Sequence, residues 1–151
     1  IGSAKAITIL AACELGKRRQ KATVEEAPIL NSAENIYQFM HTTIQDLDIE
    51  EGWILMMKQN FRLIEAKRIS VGGLTMAPVD LRLMMKEVLL KNTTVLAFCH
   101  NHPSGSTNPS REDDMLTSHI HKACELLHIH FADHVILTDG GYFSYREEGK
   151  L

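Results

Sequence analysis

At 151 residues the chain is long enough for one domain with a real core and too short for two full ones. With 44% hydrophobic and 23% charged residues it has the composition of a folded globular domain, and a formal net charge of −3 argues against a surface that coats nucleic acid. Three cysteines, Cys13, Cys99 and Cys124, are odd in number and form no C-x-x-C pair, which argues against a disulfide framework and points to a reducing compartment.

No apolar run approaches membrane-spanning length and nothing resembles a signal peptide, so a cytoplasmic location is expected. The chain opens on Ile1 and not on methionine, which predicts a piece of a longer protein. Residues 3–20 carry small and aliphatic side chains at helical spacing behind Ser3, a good N-cap, and predict a helix. The basic cluster Gly16-Lys17-Arg18-Arg19-Gln20-Lys21 closes it, where cations suit a helix C-terminus. A polar connection over 21–31 ends at Asn31-Ser32, and a short helix to about residue 40 or 42 follows, with Ile36, Tyr37, Phe39 and Met40 as candidate apolar contacts.

After the acidic run Asp46 to Glu51, Trp53 to Met57 reads as a core strand, Gln59-Asn60 as a turn, and Arg62 to Val71 as the strand that pairs back. Gly72-Gly73 breaks it. Asp80 to Lys91 predicts an amphipathic helix with Leu81, Met84, Met85, Val88 and Leu89 inward. A buried strand over 93–100 leads into a loop, then a helix from Arg111 to Leu127. His130 to Thr138 and Tyr142 to Tyr145 form the last two strands. The order ββαβαββ after an entry helix implies an α/β domain, a mixed central sheet flanked by helices. Seven methionines are best read as adaptable core filling.

The chemistry is concentrated between His100 and Asp113. Residues two apart share a side only in an extended backbone, so His100 and His102 can converge if they end a strand. Pro103 holds His102 in β or polyproline geometry. Asp113, at the third position of the following helix, brings a carboxylate. Two imidazoles and a carboxylate with one position open is the ligand count of a catalytic zinc site. The competing reading of Ser110-x-x-Asp113 is a capping box, common enough to win if the pattern stood alone. His119 and His121 lie two apart on a helix and cannot share a face; His128, His130 and His41 lack a carboxylate context.

H-x-H-x7-S-x-x-D matches the JAMM motif of MPN/JAB-type metallopeptidases, and His100-Asn101-His102-Pro103-Ser104-Gly105 is the form found in the RadC family. Asp133-His134-Val135-Ile136 and Asp139-Gly140-Gly141-Tyr142-Phe143-Ser144 resemble that family's closing strands, and Ile1 to Ala6 resembles the tail of its helix-hairpin-helix segment. The resemblance implies two parts: 1–24, the end of that segment with a linker, and 25–151, a JAB/MPN domain. It also implies a three-layer α/β/α fold of cytidine-deaminase-like type. By the same resemblance the chain is a Zn2+-dependent metallopeptidase or isopeptidase with His100, His102 and Asp113 on the metal. Glu51, at an E-x-[F/W] entry to the first strand, is implied as acid/base and Ser110 as stabiliser of the oxyanion.

Glu50 is the rival of Glu51, with its side chain expected on the opposite face. The bland reading of both is a solvated acidic turn. Asp133-His134 needs hydrogen-bond partners inside an apolar strand, and orienting a metal-ligating imidazole would supply them; a plain edge-strand location is the alternative. Gly72-Gly73-Leu74 replaces the family's G-T-L and Ala77-Pro78-Val79-Asp80 stands where many members have H-P-R-E. These departures leave substrate preference open.

Two other functions stay in play. The family's historical label of DNA repair suggests a metal-dependent nuclease or DNA-processing factor, with DNA reached through a preceding region. A non-catalytic module that keeps its metal for stability is the other. The peptide or isopeptide partner is not specified by the sequence.

Overall fold

The computed structural model describes residues 2–21, 26–72 and 79–151, with backbone only for 16–21. The expected loop around Gly73-Leu74 and Ala77-Pro78, the linker at 22–25 and the basic side chains of 17–21 therefore lie outside the described residues. Among the described residues four helices and five strands follow in the order α1 (Ser3–Lys21), α2 (Ala33–Ile44), β1 (Glu51–Met57), β2 (Leu63–Val71), α3 (Leu81–Leu90), β3 (Val95–Asn101), α4 (Arg111–Leu126), β4 (His130–Thr138) and β5 (Gly141–Ser144).

The strands form one sheet in the order β2-β1-β3-β4-β5. Only the β3–β4 pairing is parallel, and α4 makes the crossover between them. The sheet is mixed, as its sequence order requires. β3 is the middle strand, and its run Val-Leu-Ala-Phe-Cys-His-Asn is buried from end to end. A near-continuous apolar run is what a strand covered on both faces must have.

Two apolar clusters confirm that both faces are covered. One joins Ile36, Met40 and Ile44 of α2 to Leu55, Met57, Ala97, Cys99 and Val135. The other joins Met84, Met85 and Val88 of α3 and Ile120 and Cys124 of α4 to Ile54, Met56, Leu96 and Phe98. Alternate residues of β1 and β3 thus feed opposite clusters, the period of two expected of an extended backbone. Leu89 does not join them. It stands 53% exposed, because α3 turns its Leu81, Met84-Met85 and Val88 stripe toward the sheet.

Side-chain caps open two of the helices, at Ser32 as the sequence predicts and at Asp80, which the sequence placed inside its helix. Ser32 accepts from the Asn35 amide and Asp80 from the amides of Arg82 and Leu83. Ile7, Ile9, Leu10 and Leu15 of α1 are exposed. Cys13, Cys99 and Cys124 are free thiols, and no helix among the described residues is long and apolar enough to cross a membrane.

Candidate metal centre

β3 delivers the first imidazole. His100 is fully buried at the strand's C-terminal end, on the face shared with Phe98 and α4. His102 lies just past the strand and stays extended because its amide donates to the Leu137 carbonyl of β4, 2.9 Å away. The chain then turns: the Gly105 amide donates to the His102 carbonyl at 3.0 Å, and Gly105 takes φ +80°, a left-handed backbone that a side chain would strain. The turn carries the chain over to α4.

Ser110 caps α4, and Asp113 answers it. The Asp113 amide donates to Ser110 Oγ at 3.1 Å, while Asp113 Oδ2 accepts from the Ser110 amide and hydroxyl, both at 2.7 Å. The capping box is therefore complete. It also leaves Asp113 Oδ1 free to face His100, 3.2 Å from its Nε2. Cap and ligand are compatible because they use different oxygens.

His100 Nε2 and His102 Nε2 are 2.9 Å apart, and His102 Nε2 is 3.7 Å from Asp113 Oδ2. Three atoms held about a tetrahedral zinc at its usual bond lengths stand roughly 3.3 Å from one another. The Ser106 carbonyl, 2.7 Å from His102 Nδ1, can only accept, so that nitrogen carries the proton and neutral His102 aims a lone pair from Nε2 at His100 and Asp113. A cation is what such a set of electron-rich atoms requires between them. The three residues fit a metal ion.

The electrostatics favour positive charge beside Asp113. Hydrogen bonding to Asp113 raises the His102 pKa against the opposing effect of burial, and the Ser106 carbonyl adds to the rise. Burial pushes the Asp113 carboxyl up, but hydrogen bonds with His100 and His102 pull it further down, well below the usual carboxylate range. The carboxylate is ionised, as a ligand must be.

Beside this cluster opens a cavity of about 780 Å³ lined by Glu50, His102, Ser110 and Asp113, with Val79, Met115 and Leu116 as its apolar wall. Glu51 does not line it. Its carboxylate is buried elsewhere, with Oε1 accepting from Arg68 Nη1 at 2.7 Å and Oε2 from Trp53 Nε1 at 3.0 Å. The expectation that Glu51 faces the histidines is corrected by register. Gly52 sits opposite His100, so Gly52 shares the histidine's face while Glu51 and Trp53 turn to the other. Glu50, one residue earlier, returns to the histidine side.

Asn101 holds Glu50 there, and sequence reasoning had missed it. Its Oδ1 accepts from the Glu51 amide at 2.7 Å and its Nδ2 donates to the Ile49 carbonyl at 2.9 Å. The Glu50 carbonyl accepts from the Gly72 amide at 2.7 Å. The backbone on both sides of Glu50 is therefore tied to the residue between the two histidines. Its alternation with them was the only available signal. Asn101→Ala should cost about 1–3 kcal/mol of stability, since the Glu51 amide and the Ile49 carbonyl lose a buried partner. Chemical denaturation measures this; an unchanged midpoint would mean that water replaces the amide.

Asp133 is not a site residue by geometry. Its carboxylate accepts from Ser144 Oγ at 2.5 Å and from the Arg146 amide at 3.1 Å, tying β4 to the chain end. His134 turns the other way and meets His100, Nε2 to Nδ1, at 2.8 Å.

A model of the RadC-like JAB domain matches residues 30–150. The chain belongs to the RadC-like JAB domain family. Relatives extend the match to its first residues. A UPF0758 protein of Flavobacterium johnsoniae is 38% identical over 149 residues, covering 99% of this chain and 65% of the relative. Another from Porphyromonas gingivalis is 34% identical over 152 residues, covering all of this chain and 67% of the relative. A third, from Thermotoga maritima, is 32% identical over 151 residues, covering all of this chain and 68% of the relative. The chain spans about two thirds of the length of these relatives, and their names state no activity. Within the RadC-like JAB domain, His100, His102 and Asp113 form the candidate metal centre, and α1 precedes the matched region.

Proposed function

We propose that this RadC-like JAB domain is a metal-dependent hydrolase of JAMM type that cleaves amide bonds, peptide or isopeptide, with zinc as its metal. One observation carries the reading: three ligand atoms converge on one point at the wall of an open cavity that also holds an uncommitted carboxylate, Glu50. A zinc ion held by His100, His102 and Asp113 would supply activated water near neutral pH and a Lewis acid for a carbonyl oxygen.

The rest falls to the chain's own side chains. Glu50, half-buried and pinned through its backbone, takes a proton on its carboxylate and returns it to the leaving amine. That assignment passes from Glu51 to its neighbour, because the Glu51 carboxylate is already engaged by Arg68 and Trp53. Ser110 acts chiefly by orienting Asp113. Its one hydroxyl proton is given to Asp113 Oδ2, so an oxyanion contact requires exchanging that bond. Val79, Met115 and Leu116 offer apolar surface to the substrate.

Charge favours an amide over a phosphodiester. The lining includes Glu50, Glu112 and Asp113 and, among the described residues, no lysine or arginine. A nucleic-acid strand would meet acids where it needs cations. Any DNA contact belongs to the region before residue 25 or to a preceding segment, and binding by this chain should be weak and fade steeply with salt.

The test is hydrolysis of a peptide and isopeptide library by zinc-loaded protein, read by mass spectrometry. Cleavage should stop with a chelator and return with zinc. Chelator-sensitive cleavage of DNA, with the library intact, would replace this reading by the nuclease one.

A further inference from the structure

Behind the candidate metal centre lies a chain of hydrogen bonds that the proposed chemistry has not used. Thr117 Oγ1 is 2.6 Å from the Asp113 carbonyl and 2.6 Å from His134 Nδ1, and His134 Nε2 is 2.8 Å from His100 Nδ1. All of these side chains are buried.

The protons can be placed by elimination. The Asp113 carbonyl can only accept, so the single Thr117 hydroxyl proton points at it. Thr117 Oγ1 then accepts, and His134 Nδ1 must donate to it. His134 is fully buried between the Phe98 and Tyr145 rings, and its two nitrogens meet only a hydroxyl and another imidazole, with no carboxylate to hold a charge, so the ring carries a single proton. A neutral ring with its proton on Nδ1 has a bare Nε2, so His100 Nδ1 must donate to it. His100 is left with its lone pair on Nε2, the atom that faces His102 and Asp113.

We propose that Thr117 and His134 are positioning residues that fix the tautomer of His100, holding its proton on Nδ1 and presenting its Nε2 lone pair to the metal. The inference rests on the metal-centre reading and adds to it a second function for α4. The helix supplies a ligand through the Asp113 side chain and, through the Asp113 carbonyl, the acceptor that sets the proton order of the whole chain. Ring stacking secures the geometry: His134 and Tyr145 lie 4.7 Å apart at 8°.

Thr117→Val isolates the effect, because it keeps the side-chain shape and removes only the hydroxyl. The His134 Nδ1–H then has no partner, and the ring is better served by moving its proton to Nε2. There it donates to His100 Nδ1 and forces the His100 proton onto the metal-facing nitrogen. Zinc binding must reverse this and leave a buried N–H unpaired.

The experiment pairs a zinc competition titration with 15N NMR of the histidine rings in zinc-free protein. In the wild type His100 should be protonated on Nδ1. Thr117→Val should weaken zinc binding by about 10- to 100-fold, the usual worth of an outer partner of a ligating imidazole, and shift the His100 ring signals toward the other tautomer. Thr117→Ser should restore both, and His134→Phe, which keeps the stack on Tyr145, should weaken zinc to a similar degree. Zinc affinity in Thr117→Val within about twofold of the wild type, with unchanged His100 signals, would overturn the relay and leave the metal centre standing. A wild type that takes up no zinc would overturn the metal centre, and a His100 proton found on Nε2 would overturn the relay with or without zinc.

Discussion

Glu50→Gln should abolish most hydrolysis while leaving the metal in place. The substitution keeps size and polarity and removes only the ability to take up a proton. A positioned acid/base is worth about 10²- to 10⁴-fold in rate, and the loss should fall in kcat with little change in KM. Glu51→Gln is the instructive neighbour. Its carboxylate bonds to Trp53 Nε1 and to an Arg68 side chain that is 51% exposed, so the change should cost about 1 kcal/mol in stability and little in turnover. Steady-state kinetics on both variants, with zinc content measured alongside, decides between them. A silent Glu50 variant beside a dead, correctly folded Glu51 variant would reverse the assignment and restore the one that the sequence favoured.

The second large effect is on stability. An ion bound only by the folded chain at a hundred times its dissociation constant adds about 2.7 kcal/mol, which in a chain of this size raises Tm by roughly 5–10 °C. His102→Ala should lose that gain and otherwise melt close to the chelator-treated wild type, because its one bond to the backbone, to the exposed Ser106 carbonyl, can be replaced by water. Asp113→Ala should fall further, by about 1 kcal/mol, since the Ser110 amide and hydroxyl lose their acceptor along with the zinc ligand. Differential scanning calorimetry with zinc and with chelator separates the two contributions. Equal melting of all samples would mean that no ion links to folding.

The convergence of His100, His102 and Asp113 was legible because its determinants are local. Alternation of His100 and His102, Pro103 after them and Ser110 three residues before Asp113 each constrain the backbone within a few positions. The element order and the mixed character of the sheet were also readable from apolar spacing, as was the buried face of α3, apart from Leu89, where adjacent Val88 and Leu89 gave the pattern two ways to turn.

Glu50 was not readable, for a physical reason. Which of two consecutive acids faces the histidines depends on where β1 begins and how it registers against β3. The strand starts at Glu51, two residues before the predicted Trp53, and the pairing of Gly52 with His100 is a contact across 48 positions. A shift of one residue in such a pairing exchanges the faces. Asn101 could be seen only as the residue between two histidines, because its partners at Ile49 and Glu51 belong to another strand. Thr117 gave no signal at all: its partner His134 lies 17 residues on, across the α4–β4 crossover. His134 could be read, with Asp133, as orienting a metal-ligating imidazole, but the sequence did not say which of the two side chains would do so or which histidine it would meet.

Metal analysis of protein purified without added metal tests the central claim most directly. Plasma mass spectrometry of the wild type and of His102→Ala, prepared side by side, is sufficient. Close to one zinc per wild-type chain, lost in the variant, is the result expected of a centre built from His100, His102 and Asp113. A wild type no richer in metal than His102→Ala, even after zinc is offered, would contradict it and leave Ser110 and Asp113 as nothing more than a helix cap.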